Sequence, residues 1–173
     1  MKVLKNLEKI LEGLFKGLPP LPENFKKWLA ENAWIFAVIG VVLSGISGLL
    51  LLTGAILVST VVSPAYVDSL YAVESTTASR FVLFAWVALV VVVINIVILL
   101  KAIPKLKIKA RAGWDLIFLS TVLWLVYDMF NWLQYTRAIG SFVWSLISTA
   151  VGFYILFQIR EKFSSKSSST VSK

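Results

Sequence analysis

Asp115 and Asp128 are the two charged residues in an otherwise apolar stretch from Trp114 to Tyr135. A carboxylate inside a membrane-length apolar run is costly, and by default it marks ion or proton chemistry. Asp115 sits at the start of the run beside a basic segment. There a helix dipole and nearby cations favour it, so its role reads as structural. Asp128 lies 14 residues past Trp114 and 7 before Tyr135, roughly 10 Å below the outer edge of a spanning helix. It must face other helices or water, and it needs a partner. Arg137 is the nearest cation in sequence and Arg80 the other on the same side; Thr121 shares the helix face of Asp128, and Asn131 lies one turn further out. Two readings compete. In one, Asp128 forms an ion pair that locks helix packing. In the other, it binds a cation or proton in a small homo-oligomeric transporter or channel.

Other chemistry is scarce. The chain has no Cys and no His. That removes thiolate chemistry, disulfides, haem held by His or Cys, most zinc sites and the usual general base near pH 7. There is no GxSxG, no nucleotide-binding motif and no pair of carboxylates flanking a cleft. The expectation is a non-enzymatic protein without a cofactor.

The elements that must position these residues are apolar helices. Of 173 residues, 58% are hydrophobic, against about 45–50% in soluble domains. Four stretches reach the length of about 20 residues needed to cross a bilayer: 33–62, 81–100, 114–135 and 138–159. The first is long enough to tilt, or to leave the hydrocarbon near Thr53. Backbone groups in hydrocarbon must be satisfied internally, so every span is helical. The predicted fold class is all-α: an integral membrane four-helix bundle with an N-terminal amphipathic interfacial helix. The organisation is 1–18 amphipathic helix, 19–32 linker and short lead-in helix, 33–160 transmembrane domain and 161–173 disordered polar tail. In the first segment Leu7, Ile10, Leu11, Leu14 and Phe15 form an apolar stripe, Glu12 and Lys16 an i, i+4 pair, and Gly17 with Pro19 and Pro20 a stop. The expected place of this helix is flat on the cytoplasmic leaflet.

Charge sets the orientation. Six lysines precede the first span, Lys101, Lys105, Lys107, Lys109 and Arg111 lie between the second and third, and four cations follow the fourth. The opposite side holds Arg80 and Arg137. By the positive-inside rule both termini are cytoplasmic. A compact chain without a sorting signal fits a plasma membrane, and a prokaryotic inner membrane in particular. The basic segment Lys101–Gly113 is expected to be a loop that fixes topology and touches anionic lipid headgroups. It lacks aromatic residues for base stacking, so nucleic acid is not an expected partner.

Small residues suggest how the spans meet. Ala33, Ala37, Gly40, Ser44 and Gly48 form a ridge on the first; Ser141, Ser145, Thr149 and Gly152 form one on the fourth. Asn95 is expected to hydrogen-bond across helices. Abundant packing residues beside few chemical ones point to a protein that works by contact. It would be a scaffold, accessory or assembly subunit whose partners are the bilayer, further copies of itself or other membrane subunits.

Overall fold

A computed structural model describes residues 2–61, 72–132 and 139–163. The architecture is all-helical, 92% helix with no strands among the described residues. Five helices follow in order: α1 (Lys2–Phe15), α2 (Glu23–Val61), α3 (Ala72–Lys107), α4 (Arg111–Asn131) and α5 (Ile139–Ile159), the last continued by a 3-10 turn, Arg160–Lys162. Helices α2 to α5 are each long and apolar enough to cross a membrane. Helix α3 lies between α2 and α4, α5 packs on α4 and touches α2, and α1 rests on α5.

The lead-in segment and the first apolar run are one helix. Pro22 accepts hydrogen bonds from the backbone N–H groups of Phe25 and Lys26 and so starts α2. The helix then continues through Gly54 to Val61, roughly 58 Å at 1.5 Å per residue.

The seam between α2 and α3 follows from spacing. On α3 the buried positions are Ala85, Ala88, Val92, Asn95, Leu99, Ala102 and Leu106, alternating steps of three and four. That is the seam of two helices crossing at a shallow left-handed angle. The facing line on α2 is Ala30, Ala33, Ala37, Ser44, Gly48 and Ala55. Every member is small, so the backbones come close. A Cβ on Gly40 would meet Leu99 Cδ1 at 3.1 Å, and one on Gly48 would meet Val92 Cγ1 at 3.2 Å. The larger side chains of α3 fill the gaps over these glycines.

The basic segment is not the expected loop. Helix α3 runs on to Lys107, and α4 starts at Arg111. Lys101, Lys105 and Lys107 are exposed, while Ala102 and Leu106 extend the buried seam. One face therefore keeps packing while the other carries charge, and neither interrupts the helix. Pro104 lies within this last stretch, where it leaves the Leu100 carbonyl without its usual partner. The turn ends as a Schellman motif: Ala110 N–H bonds to Lys105 O and Lys109 N–H to Leu106 O, each at 2.9 Å. Lys109 occupies the left-handed position with φ 52°, where glycine is the usual residue. Because α4 begins at Arg111, Asp115 lies past its first turn.

Gly113 makes this hairpin possible. A Cβ there would stand 2.9 Å from Leu106 N and from the Lys105 carbonyl carbon, and backbone cannot yield as a side chain can. Gly113→Ala is expected to destabilise the protein by about 1–3 kcal/mol, the usual cost of overpacking. Gly40→Ala, which meets the end of one leucine, should cost less. Thermal unfolding of the detergent-solubilised variants measures both; a wild-type midpoint for Gly113→Ala would contradict this account of the turn.

Candidate functional site

Three polar arrangements carry the chemistry of the described residues. The first is fully buried. Asn95, 2% exposed, donates from Nδ2 to Ser44 Oγ at 3.1 Å and accepts at Oδ1 from Ser120 Oγ at 2.6 Å. One amide thus ties α2, α3 and α4 together. Both functions of the amide have a partner, which is what makes a buried polar side chain tolerable.

The second is Asp128. Its Oδ2 accepts a hydrogen bond from Ser145 Oγ of α5 at 2.5 Å, so it links α4 to α5. Among the described residues no cation is within ion-pair distance of it. Arg137 lies outside the described residues, and so does the side chain of Arg80. Thr121 Oγ1 donates to Ile117 O of its own helix at 3.1 Å. Asn131 is half-buried. Of the fourth-span ridge, Ser145 is engaged by Asp128 and Thr149 is half-buried, whereas nothing lies within 4 Å of a Cβ built on Gly152. The side chain of Ser141 is outside the described set.

The third arrangement is the most elaborate. It lies where α1 meets the start of α4 and the end of α5. Glu8 of α1, with a side chain 15% exposed, is paired with Arg111 and sits 2.7 Å from Arg160 Nη2; Glu12 reaches Arg160 Nη1 at 2.6 Å. Glu12 therefore pairs with Arg160 and not with Lys16. Arg111 Nε also donates to Asp115 Oδ1 at 3.2 Å. Both guanidiniums lie against the ring of Trp114, at 4.2 Å for Arg111 and 5.7 Å for Arg160, within the range of cation–π attraction. Arg160 follows the last residue of α5, where the helix dipole favours positive charge.

Trp114 is the hub. It is 1% exposed. Its ring stacks on Phe118 at 5.3 Å and meets Phe157 edge-on at 5.7 Å. Its indole N–H donates to Leu156 O at 2.8 Å, one of the last four carbonyls of α5. Helix α1 adds Leu7, Leu11 and Phe15 to this core, with Phe15 stacked on Phe157 at 5.8 Å. Its stripe is therefore divided. One edge covers the bundle end, and the other, Ile10 and Leu14, stays exposed. The linker is fastened as well: Tyr154 Oη donates to Pro19 O at 2.7 Å and Leu21 N to Gln158 Oε1 at 3.4 Å.

The basic segment takes part in this end of the molecule. Lys109 Nζ bonds to Glu31 at 3.2 Å, and Lys107 Nζ stands 4.6 Å over Trp34. Among the described residues Lys101 and Lys105 have no ion-pair partner. Nearby, Lys162 at 2.7 Å and Lys26 at 3.0 Å share Glu23. The hydrogen bond from Lys162, then that from Lys26, holds the Glu23 carboxyl below the usual carboxylate range, and the Glu23 bond raises Lys162. A groove of about 870 Å³ opens beside α1, lined by the arginine pair, Lys9, Lys16 and Phe157 among others.

Sequence reasoning did not bring Glu8, Glu12 and Arg160 together, and it passed over Ser120 and the burial of Trp114. A signal existed for the first three: two acids one turn apart on an otherwise basic helix, with one arginine just outside each of two apolar runs. Ser120 gave none beyond lying in the same run as Asp128.

Glu8→Gln should free α1. With Glu8 partly exposed, the expected loss is about 1–2 kcal/mol, between surface and buried ion pairs. Amide hydrogen exchange over residues 6–15 should accelerate by a comparable factor while α3 and α4 keep their protection. Unchanged exchange would show that the ion pairs do not hold α1. Compared with known protein families, curated proteins and solved structures, the chain has no match.

Proposed function

We propose that this is a non-enzymatic integral membrane protein of four spans that acts through helix contacts, as a scaffold, accessory or assembly subunit. In this reading the Glu8–Arg111–Arg160 end faces the cytoplasm of a prokaryotic cell. One observation carries the membrane assignment: large apolar side chains cover the outside of the helices. Leu43, Leu50, Val90, Val126 and Trp144 are among many large apolar side chains that are exposed, whereas Ser44, Asn95 and Ser120 are buried. Each Å² of apolar surface left in water costs about 25 cal/mol, and soluble monomers rarely expose patches beyond a few hundred Å². Hydrocarbon removes that cost and makes satisfied polar contacts the natural interior. The gathering of Lys101 to Arg111, Arg160, Lys162 and α1 at one end agrees with the positive-inside rule.

The contact role is supported by what α2 and α5 leave bare. Space is open where a Cβ would stand on Gly45, Gly54, Gly140 and Gly152, and Trp144, Ile147 and Val151 are exposed on α5. Small positions among large apolar ones let a further helix approach closely. Extraction in mild detergent followed by native mass spectrometry tests the role. Copies or partner subunits should be retained; a lone monomer under every gentle condition would count against it. A reporter fused after residue 173 should read as cytoplasmic.

One observation favours the transport alternative: the Asp128 carboxylate meets a hydroxyl and no cation among the described residues. Flux into liposomes, compared for the intact chain and Asp128→Asn, separates the two readings. The contact reading expects no flux that depends on Asp128.

A further inference from the structure

We propose that the groove beside α1 binds the phosphate-bearing headgroup of an anionic phospholipid. The inference rests on the membrane reading above and adds a ligand to it. The groove has a volume of about 870 Å³, within the range of sites for small ligands. Lys9, Lys16, Lys26, Arg111 and Arg160 line it, against the carboxylates of Glu12 and Glu161. The excess of cations suits a phosphate.

The cations divide into two sets. Arg111 and Arg160 are held by Glu8 and Glu12 over Trp114 and form a fixed wall. Lys9 and Lys16 are exposed and have no carboxylate partner among the described residues. Lys26 is nearly buried and shares Glu23 with Lys162. Two ammonium groups without an ion pair among the described residues therefore stand beside a guanidinium wall held by Glu8 and Glu12.

The apolar border selects the lipid source over free phosphate. Phe15, Leu18, Phe157 and Phe163 line the groove, and Ile10 and Leu14 are exposed elsewhere on α1. This pairing matches an amphiphile: phosphate among the lysines, acyl chain along the outer edge of α1. A soluble phosphate gains nothing from that edge.

Native mass spectrometry of the detergent-solubilised chain, titrated with phosphatidylglycerol or phosphatidylcholine, provides the test. The intact chain should prefer phosphatidylglycerol by about tenfold or more. Lys9→Gln with Lys16→Gln should lose about tenfold of that affinity, since both cations face the headgroup. Lys101→Gln with Lys105→Gln removes two unpaired cations outside the groove and should change little. Inorganic phosphate at millimolar concentration should not displace the lipid. Undiminished selectivity in the Lys9/Lys16 variant overturns the proposal. So does an equal fall in the Lys101/Lys105 variant, which means diffuse attraction, or displacement by phosphate, which assigns the groove to a soluble anion. If the double variant has a lowered unfolding temperature, Lys9→Gln and Lys16→Gln, each alone, carry the same comparison. A chain that still requires detergent while failing this test loses the groove assignment and keeps its spans.

Discussion

Close approach of α2 and α3 is the constraint on which the rest of the structure depends. Their facing positions are small on α2 and larger on α3, so the two backbones settle into one register. That register brings Ser44 within reach of Asn95, and Asn95 in turn accepts from Ser120 of the next helix. A slide by one residue would rotate Asn95 off the seam and leave an amide without partners at the centre of the protein. The penalty for such an orphan exceeds the modest gain of each bond. The network therefore selects an arrangement more than it stabilises one.

With α3 fixed, its far end dictates where the charged region forms. The turn at Lys109 and the bare backbone of Gly113 bring α4 back against α3 with little intervening chain. Trp114 is thereby buried directly beneath the turn, and Arg111 lies across its ring. Helix α5 supplies the second guanidinium from its C-terminal end. A carboxylate from α1 between two arginines then completes an arrangement built from three separate pieces of chain. The carboxylates that dock α1, Glu8 and Glu12, are taken up by Arg111 and Arg160, and Lys9 and Lys16 have no ion pair among the described residues.

The four helices long and apolar enough to cross a membrane were legible in the sequence because hydropathy over about 20 residues is a strong, local signal. The small-residue line of the first span was legible for the same reason, since Ala33, Ala37, Gly40, Ser44 and Gly48 repeat at helical spacing. What failed was tied to the assumption that charge marks the end of a helix. Lys101, Lys105 and Lys107 sit on one face while Ala102 and Leu106 carry the buried seam onward, so helix and apolar run end at different places. The burial of Trp114 was not legible, because nothing local reveals that Arg160 from a distant segment will help Arg111 cover it. The docking of α1 depends on residues more than a hundred positions away, and its local trace was confined to two acids one turn apart. Asp128 stood out by type, but its serine partner across α5 did not, since Ser145 looked like one more packing residue.

The fastening of the N-terminal region bears on how the polypeptide is assembled. Its contacts are to Arg111, Tyr154, Phe157, Gln158 and Arg160. During synthesis α1 leaves the ribosome before α2 to α5, yet most of its resting place exists only after α5 has emerged. A segment made ahead of these helices is thus seated after them, and until then its leucines and glutamates have none of these partners to hold. Closure of this end reports that α4 and α5 are in place.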